Sequence, residues 1–120
     1  MKSFGRIVVF VALVVCSTSQ LGYAVPAPAR AELRAKYNVV EGKKIYEESC
    51  AACHTTGLLT APKLCDVQAW NPRIANGMEV LLQHTVQDYK SMPARGGLES
   101  LTIAECGNAV AYMVDQCLTR

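Results

Sequence analysis

Apolar residues recur at helical spacing along several stretches of this chain, and nowhere do they alternate for long with the period of two that marks a strand. From Val40 to about Cys50 the spacing predicts a short helix, with Val40, Ile45, Tyr46 and Ser49 or Cys50 on one side. Residues 54–69 hold Gly57, Pro62 and few periodic apolar positions, so they read as loop. Asn71-Pro72 reads as a helix start, with asparagine as cap and proline at the first helical position, where a backbone donor is not needed. Beyond Gly77, the residues Met78, Leu81, Leu82 and Thr85 share one face and predict a helix of about three turns. Lys90 to Ser100 carries Pro93, Gly96 and Gly97 and must be loop. Thr102 and Glu105 match a capping box and open a helix to about Leu118, with Cys106, Ala109 or Val110, Met113 and Cys117 as its apolar stripe. The fold class is all-α, with short helices separated by long loops. Long loops in so small a domain usually wrap something.

The start of the chain follows a different pattern. Ile7 to Cys16 is wholly apolar, Lys2 and Arg6 precede it, Ser17 to Gln20 turn polar, and Gly22-Tyr23-Ala24 ends in small residues at the two positions a signal peptidase reads. These are the three parts of a secretory signal over residues 1–24. Ten apolar residues are too few to cross a bilayer as a helix. A lipid-modified Cys16 is the rival reading, although Val15 stands where such sites usually want a small residue. Residues 25–39 then read as a Pro/Ala spacer turning helical toward its end, and 40–120 as one domain.

Removing the leader changes the electrostatics. The 120 residues carry 12 Lys+Arg against 10 Asp+Glu; Lys2 and Arg6 leave with residues 1–24, so 96 residues remain with 10 of each sign. A nucleic-acid partner would call for a basic face, and none is evident. A domain of that size has a marginal polypeptide core, and a bound cofactor would supply the missing apolar mass. Five cysteines remain, an odd number for an oxidising compartment.

Cys50-Ala51-Ala52-Cys53-His54 carries the strongest chemical signal. Two thiols three positions apart match the two vinyl groups of a haem, with the adjacent imidazole placed beneath the iron, and this spacing is that of c-type haem attachment. A Cys-x-x-Cys redox pair would sit near a βαβ pattern, which is absent. A zinc site would need two further ligands at comparable spacing. Iron in an electron carrier needs a second axial ligand, and Met78, Met92, Met113 and His84 are the candidates. Met78 and Met113 lie on predicted apolar helix faces, where a core methionine is the ordinary explanation. Met92 lies in a loop stiffened by Pro93 and is the better choice; His84 reads as a surface or capping histidine.

These residues resemble a class I cytochrome c, and within it the small bacterial cytochrome c5 type. The resemblance runs from Gly42 to Met113 through Tyr46, the haem motif, Gly57, Ala61-Pro62-Lys63, Asp66, Trp70, Pro72-Arg73, Gly77, Leu81, His84, the Met92-Pro93-Ala94-Arg95-Gly96-Gly97 loop and Tyr112. It implies the class I cytochrome c fold around one covalently attached haem c, with His54 and Met92 on the iron. It further implies that Gly42 lets the first and last helices approach, with Tyr46 and Tyr112 filling the contact. The Pro62 carbonyl would accept from the free ring nitrogen of His54, and Trp70 and Arg73 would lie near the propionates, the tryptophan through its indole donor. Cys65 and Asp88 stand where the resemblance leads us to expect glycines. Cys106 and Cys117 are eleven positions apart in one predicted helix, about 16 Å along its axis, too far to pair. By the family's layout, the loop after Pro62 lies against the end of the last helix, which favours a Cys65–Cys117 disulfide, the alternative being three unpaired thiols.

The resemblance implies a function as well as a fold. A haem iron with both axial positions filled by protein leaves no place for substrate. The chain is therefore expected to be no enzyme but a monomeric, periplasmic one-electron carrier, working by outer-sphere transfer between redox partners such as respiratory complexes, oxidases or dehydrogenases. Contacts with membrane complexes would be transient. The alternative is a dedicated electron-accepting subunit of one periplasmic dehydrogenase.

Overall fold

A computed structural model describes residues 27–118; the expected leader over residues 1–24, and Cys16 within it, lie outside the described residues. In chain order the helices are α1 (Arg30–Lys36), α2 (Val39–Ile45), α3 (Ala51–His54), α4 (Val67–Ile74), α5 (Met78–Gln87) and α6 (Ile103–Cys117). A π-helical turn, Tyr46–Cys50, joins α2 to α3 in one run, and 3-10 turns occupy Leu58–Thr60 and Ala94–Gly97. No strand forms among the described residues; one isolated bridge pairs Tyr89 with Met92.

The last helix organises the rest. Its capping box is complete: the Thr102 hydroxyl accepts from the Glu105 N–H at 3.2 Å, and the Glu105 carboxylate accepts from the Thr102 N–H at 2.8 Å. Cys106, Ala109, Val110, Met113 and Cys117 are buried as their spacing predicts, and Gly107, Ala111 and Val114 join them. So broad a buried surface suits a helix with neighbours on several sides. Among those neighbours, α2 makes the most extensive contact and α5 the next.

Contact between α2 and α6 hinges on Gly42. A Cβ built there would lie 1.9 Å from the carbonyl oxygen of Asn108, so the two backbones approach where only glycine fits. Gly42 must therefore face α6, and this turns α2 away from the face that periodicity suggested. Ile45, Tyr46 and Cys50 are buried with it, whereas Val40 is 75% exposed. The Tyr46 and Tyr112 rings fill the contact at 5.3 Å between centroids, and the Tyr46 hydroxyl lies 3.1 Å from that of Thr55. The Asn108 side chain accepts from the Asn38 N–H at 3.0 Å and donates to Glu41 at 2.9 Å, which fastens the start of α2 to the same point.

Two further segments depart from the sequence reading. α4 starts at Val67, not at Asn71-Pro72. Asp66 caps it by accepting from the Ala69 N–H at 3.2 Å, and Pro72 lies inside its last turn, where little helix remains to be disrupted. Starting earlier brings Trp70 and Ile74 into the core. Within the expected spacer, Arg30–Lys36 forms α1, which inserts Leu33 into the core and docks on α6. Arg30 and Arg34 each grip Asp115 with two hydrogen bonds of 2.8–3.1 Å, and the Asp115 side chain is 0% exposed. The Arg34 hydrogen bonds and then those of Arg30, acting against the cost of burial, hold the Asp115 carboxyl down at about 2.

Both contacts lead to measurable outcomes. Gly42→Ala should destabilise the holoprotein by about 2 kcal/mol or more, because the clash is with backbone rather than a movable side chain; urea unfolding reads this directly. The lowered carboxyl of Asp115 contributes stability that is complete above its ordinary value of 3.8 and is lost as pH falls through about 2. Asp115→Asn should lose about 2 kcal/mol at pH 7, and its stability should change less than that of the wild type between pH 4 and pH 2.

Candidate cofactor site

One cavity gathers the residues that the sequence singled out. Cys50, Cys53, His54, Pro62, Trp70, Arg73 and Met92 all line it, together with His84, Leu81, Val110 and Met113. Its wall is mainly apolar; among the described residues its lysine and arginine side chains are Lys90 and Arg73, and no aspartate or glutamate lines it.

The proximal wall is built by the run that α2 begins. The π-helical turn ends on Cys50, and α3 carries Cys53 and His54 one turn further. Such a turn widens the helix locally and often marks a functional position. His54 Nδ1 lies 2.8 Å from the Pro62 carbonyl oxygen. A carbonyl only accepts, so this contact puts the ring proton on Nδ1 and leaves the Nε2 lone pair available. Burial lowers the His54 pKa, against the opposing pull of that hydrogen bond, and the positive Arg73 lowers it further. Neutral imidazole is the form that binds metal.

The loop after His54 is tied to it more tightly than its sequence suggests. The Leu64 N–H donates to the His54 carbonyl at 2.7 Å. The Trp70 indole donates to the Lys63 carbonyl at 2.8 Å, and its ring centroid lies 6.2 Å from that of His54. That indole donor is thereby engaged by the loop rather than left for a propionate, which corrects the role the resemblance implied. Arg73 lines the cavity while one of its guanidinium nitrogens donates back to the Ala69 carbonyl.

Met92 reaches the cavity from a loop whose backbone is closely held. Tyr89 and Met92 exchange both backbone hydrogen bonds, at 3.0 and 2.9 Å. Beyond Pro93, Arg95 donates to the carbonyls of Glu99 and Leu101 at 2.9 and 2.8 Å. Ser49, beside the proximal Cys50, donates to the Gly96 carbonyl at 3.1 Å, and a Cβ on Gly96 would lie 2.8 Å from that hydroxyl oxygen. Sequence reasoning missed Ser49 and Arg95. Arg95 stood inside the quoted loop motif, but nothing in the motif told that its guanidinium turns back on the loop.

The rival chemistries fit less well. Burial pushes the Cys50 thiol up to about 11, opposite to the depressed pKa of a reactive redox thiol. Among the described residues, no group of three or more His, Cys, Asp or Glu is arranged to hold a metal ion. The expected Cys65–Cys117 disulfide is not formed. The Cys65 thiol donates to the Gln116 carbonyl at 3.6 Å, whereas the Cys117 thiol turns along its own helix to the Met113 carbonyl at 3.3 Å.

A helical fold wrapped around a cavity that displays a Cys-x-x-Cys-His turn is the architecture of class I c-type cytochromes. Comparison with known proteins agrees. Residues 38–113 match the family described as "Cytochrome C oxidase, cbb3-type, subunit III". Cytochrome c-555 of Chlorobaculum tepidum is 51% identical over 84 residues, covering 67% of this chain and 78% of that protein. Cytochrome c5 of Azotobacter vinelandii is 36% identical over 69 residues, covering 56% and 77%. A structure described as "Crystal structure of electron transfer complex of nitrite reductase with cytochrome c" aligns with a TM-score of 0.62 and 42% identity, over 64% of this chain and 94% of that one. The chain belongs to the cytochrome c family, as a small monohaem member of class I. It is not an enzyme, and its cofactor is one covalently attached haem c.

The attachment can be tested directly. Cys50→Ala combined with Cys53→Ala should abolish the haem-dependent peroxidase stain at the chain's position after denaturing electrophoresis, whereas the parent chain stains. A stain retained at full strength by the double variant would contradict attachment through these thiols.

Proposed function

We propose that this chain is an exported, periplasmic one-electron carrier in which His54 and Met92 are the two axial ligands of the haem iron. The observation that carries the reading is the convergence of Cys50, Cys53, His54 and Met92 on one cavity. When bound, haem supplies an iron that changes oxidation state by one electron. The chain's part is to hold and shield it. Pro62 keeps the proton on Nδ1 of His54, burial keeps that ring neutral, and Ser49, Arg95 and the Tyr89–Met92 pair restrain the loop that offers the thioether. With His54 and Met92 both holding the iron, no place would be left for a substrate. Restrained ligands also keep the rearrangement that accompanies electron transfer small.

Export rests on the basic, apolar and small-residue pattern of residues 1–24. Redox proteins are the partners. That kind of partner is supported by the neighbour described as an electron transfer complex of nitrite reductase with cytochrome c.

Met92→Ala tests the ligand set. The variant should lose the weak near-infrared band that marks iron–sulfur coordination. Its reduction potential should fall by about 0.1 V or more, within the span of about 0.8 V that axial ligands control. A band that survives in Met92→Ala would move the assignment to another thioether, Met113 being the other one on the cavity wall; a parent protein without the band would move it to His84.

A further inference from the structure

We infer that His84 is a positioning residue for Met92, acting through the stacked ring of Tyr89; this rests on the reading of Met92 as the iron's ligand. The imidazole of His84 and the phenol ring of Tyr89 lie face to face, with centroids 3.8 Å apart and planes 13° from parallel. They meet because α5 ends at Gln87 and Asp88, at φ +105°, throws the chain back toward the helix it has just left. Few non-glycine residues adopt such a backbone, so a tertiary contact must hold it.

The link from Tyr89 to Met92 runs through the backbone. Their two mutual hydrogen bonds, 3.0 and 2.9 Å long, close a tight turn over Lys90 and Ser91, with Lys90 also left-handed at φ +56°. Residues paired in this way keep their Cα atoms about 5.5 Å apart, so Met92 cannot shift far unless Tyr89 shifts with it. Burial does not fix Tyr89, which is 39% exposed. Its anchors are the His84 face and the Lys90 ammonium, which lies 5.2 Å from the ring centroid. Lys90 travels with the turn, whereas His84 stands on α5, where Leu81 and Thr85 are buried. His84 is therefore the fixed point of this contact.

The far side of the loop has separate fastenings in Ser49–Gly96 and in Arg95 with Glu99 and Leu101. Loss of the stack should thus loosen the side that precedes Met92 without releasing the whole loop. A ligand that detaches more often leaves the iron more open to an added competitor, whose apparent affinity rises with the open fraction.

The test uses ferric holoprotein titrated with imidazole and followed by its absorption spectrum. His84→Ala and Tyr89→Leu should each strengthen imidazole binding about three- to tenfold, the range that an aromatic stack commands. The double variant should go little beyond either single one. His84→Phe keeps a planar face and should restore near-native affinity along with the near-infrared band. Unchanged imidazole affinity in His84→Ala, with the band lost in Met92→Ala, would overturn this inference and leave the ligation reading intact. A band persisting in Met92→Ala would overturn the ligation reading, and an imidazole affinity in His84→Phe as high as in His84→Ala would overturn the positioning role of the stack. Should His84→Ala fail to fold, Tyr89→Leu against His84→Phe makes the same comparison: equal affinities would defeat the proposal.

Discussion

The contact at Gly42 is the constraint on which the remaining structure depends. Because α2 and α6 meet backbone to backbone, the direction in which α2 leaves the contact is fixed, and the π-helical turn and α3 continue that direction to Cys50, Cys53 and His54. The other helix of the contact contributes Val110 and Met113 to the same cavity. Both walls are thus referred to one point. Tyr46 and Tyr112 make that point stiff through aromatic area, and Asn108 does so through two hydrogen bonds to the start of α2. A methyl group at Gly42 would force the walls apart where the cofactor needs them at a set separation.

Part of this was legible because its signals are local. The capping box at Thr102, the stripe on α6, the Cys-x-x-Cys-His turn and the helix after Gly77 each depend on residues a few positions apart, and each appears where its pattern put it. Where two local signals compete, tertiary burial decides. Asn71-Pro72 is a sound helix start, but so is Asp66, and only the earlier start carries Trp70 into the core and onto the Lys63 carbonyl. Val40 belongs to the same group: its spacing fits a buried face, yet the close approach at Gly42 rotates the helix elsewhere. The clamp of Arg30 and Arg34 on Asp115 could not be read at all. Each residue alone resembles a solvated charge, and more than 80 positions separate the partners.

The thiols show the limit of inference from layout. The family's arrangement does bring the loop after Pro62 to the end of α6, since the Cys65 thiol reaches the carbonyl of Gln116. Successive helical residues, however, project about 100° apart, so reaching the backbone of residue 116 does not bring a thiol to the side chain of residue 117. Cys117 instead faces Met113, one turn back on its own helix. Proximity along the chain was legible, and side-chain direction was not.

The charges around the cavity then bear on which oxidation state the site favours. A histidine ligand that donates to a carboxylate gains imidazolate character and stabilises the oxidised metal. Here the acceptor is the neutral carbonyl of Pro62, so that electron donation is weaker. Among the described residues no aspartate or glutamate lines the cavity, whereas Arg73 and Lys90 do. Positive charge nearby favours the state that has gained an electron, and the proposed thioether ligation from Met92 would act in the same direction. The acceptor on His54, the charges on the cavity wall and the proposed distal ligand thus all favour reduced iron. The first is set by the Pro62–Leu64 loop, the third by the turn held at Tyr89, and the charges are divided between them, Arg73 on α4 and Lys90 in that turn. With His54 and Met92 as the proposed ligands, the chain would tune its potential from two places in the fold, one fastened by the Pro62–Leu64 loop and the other by the Tyr89–Met92 pair.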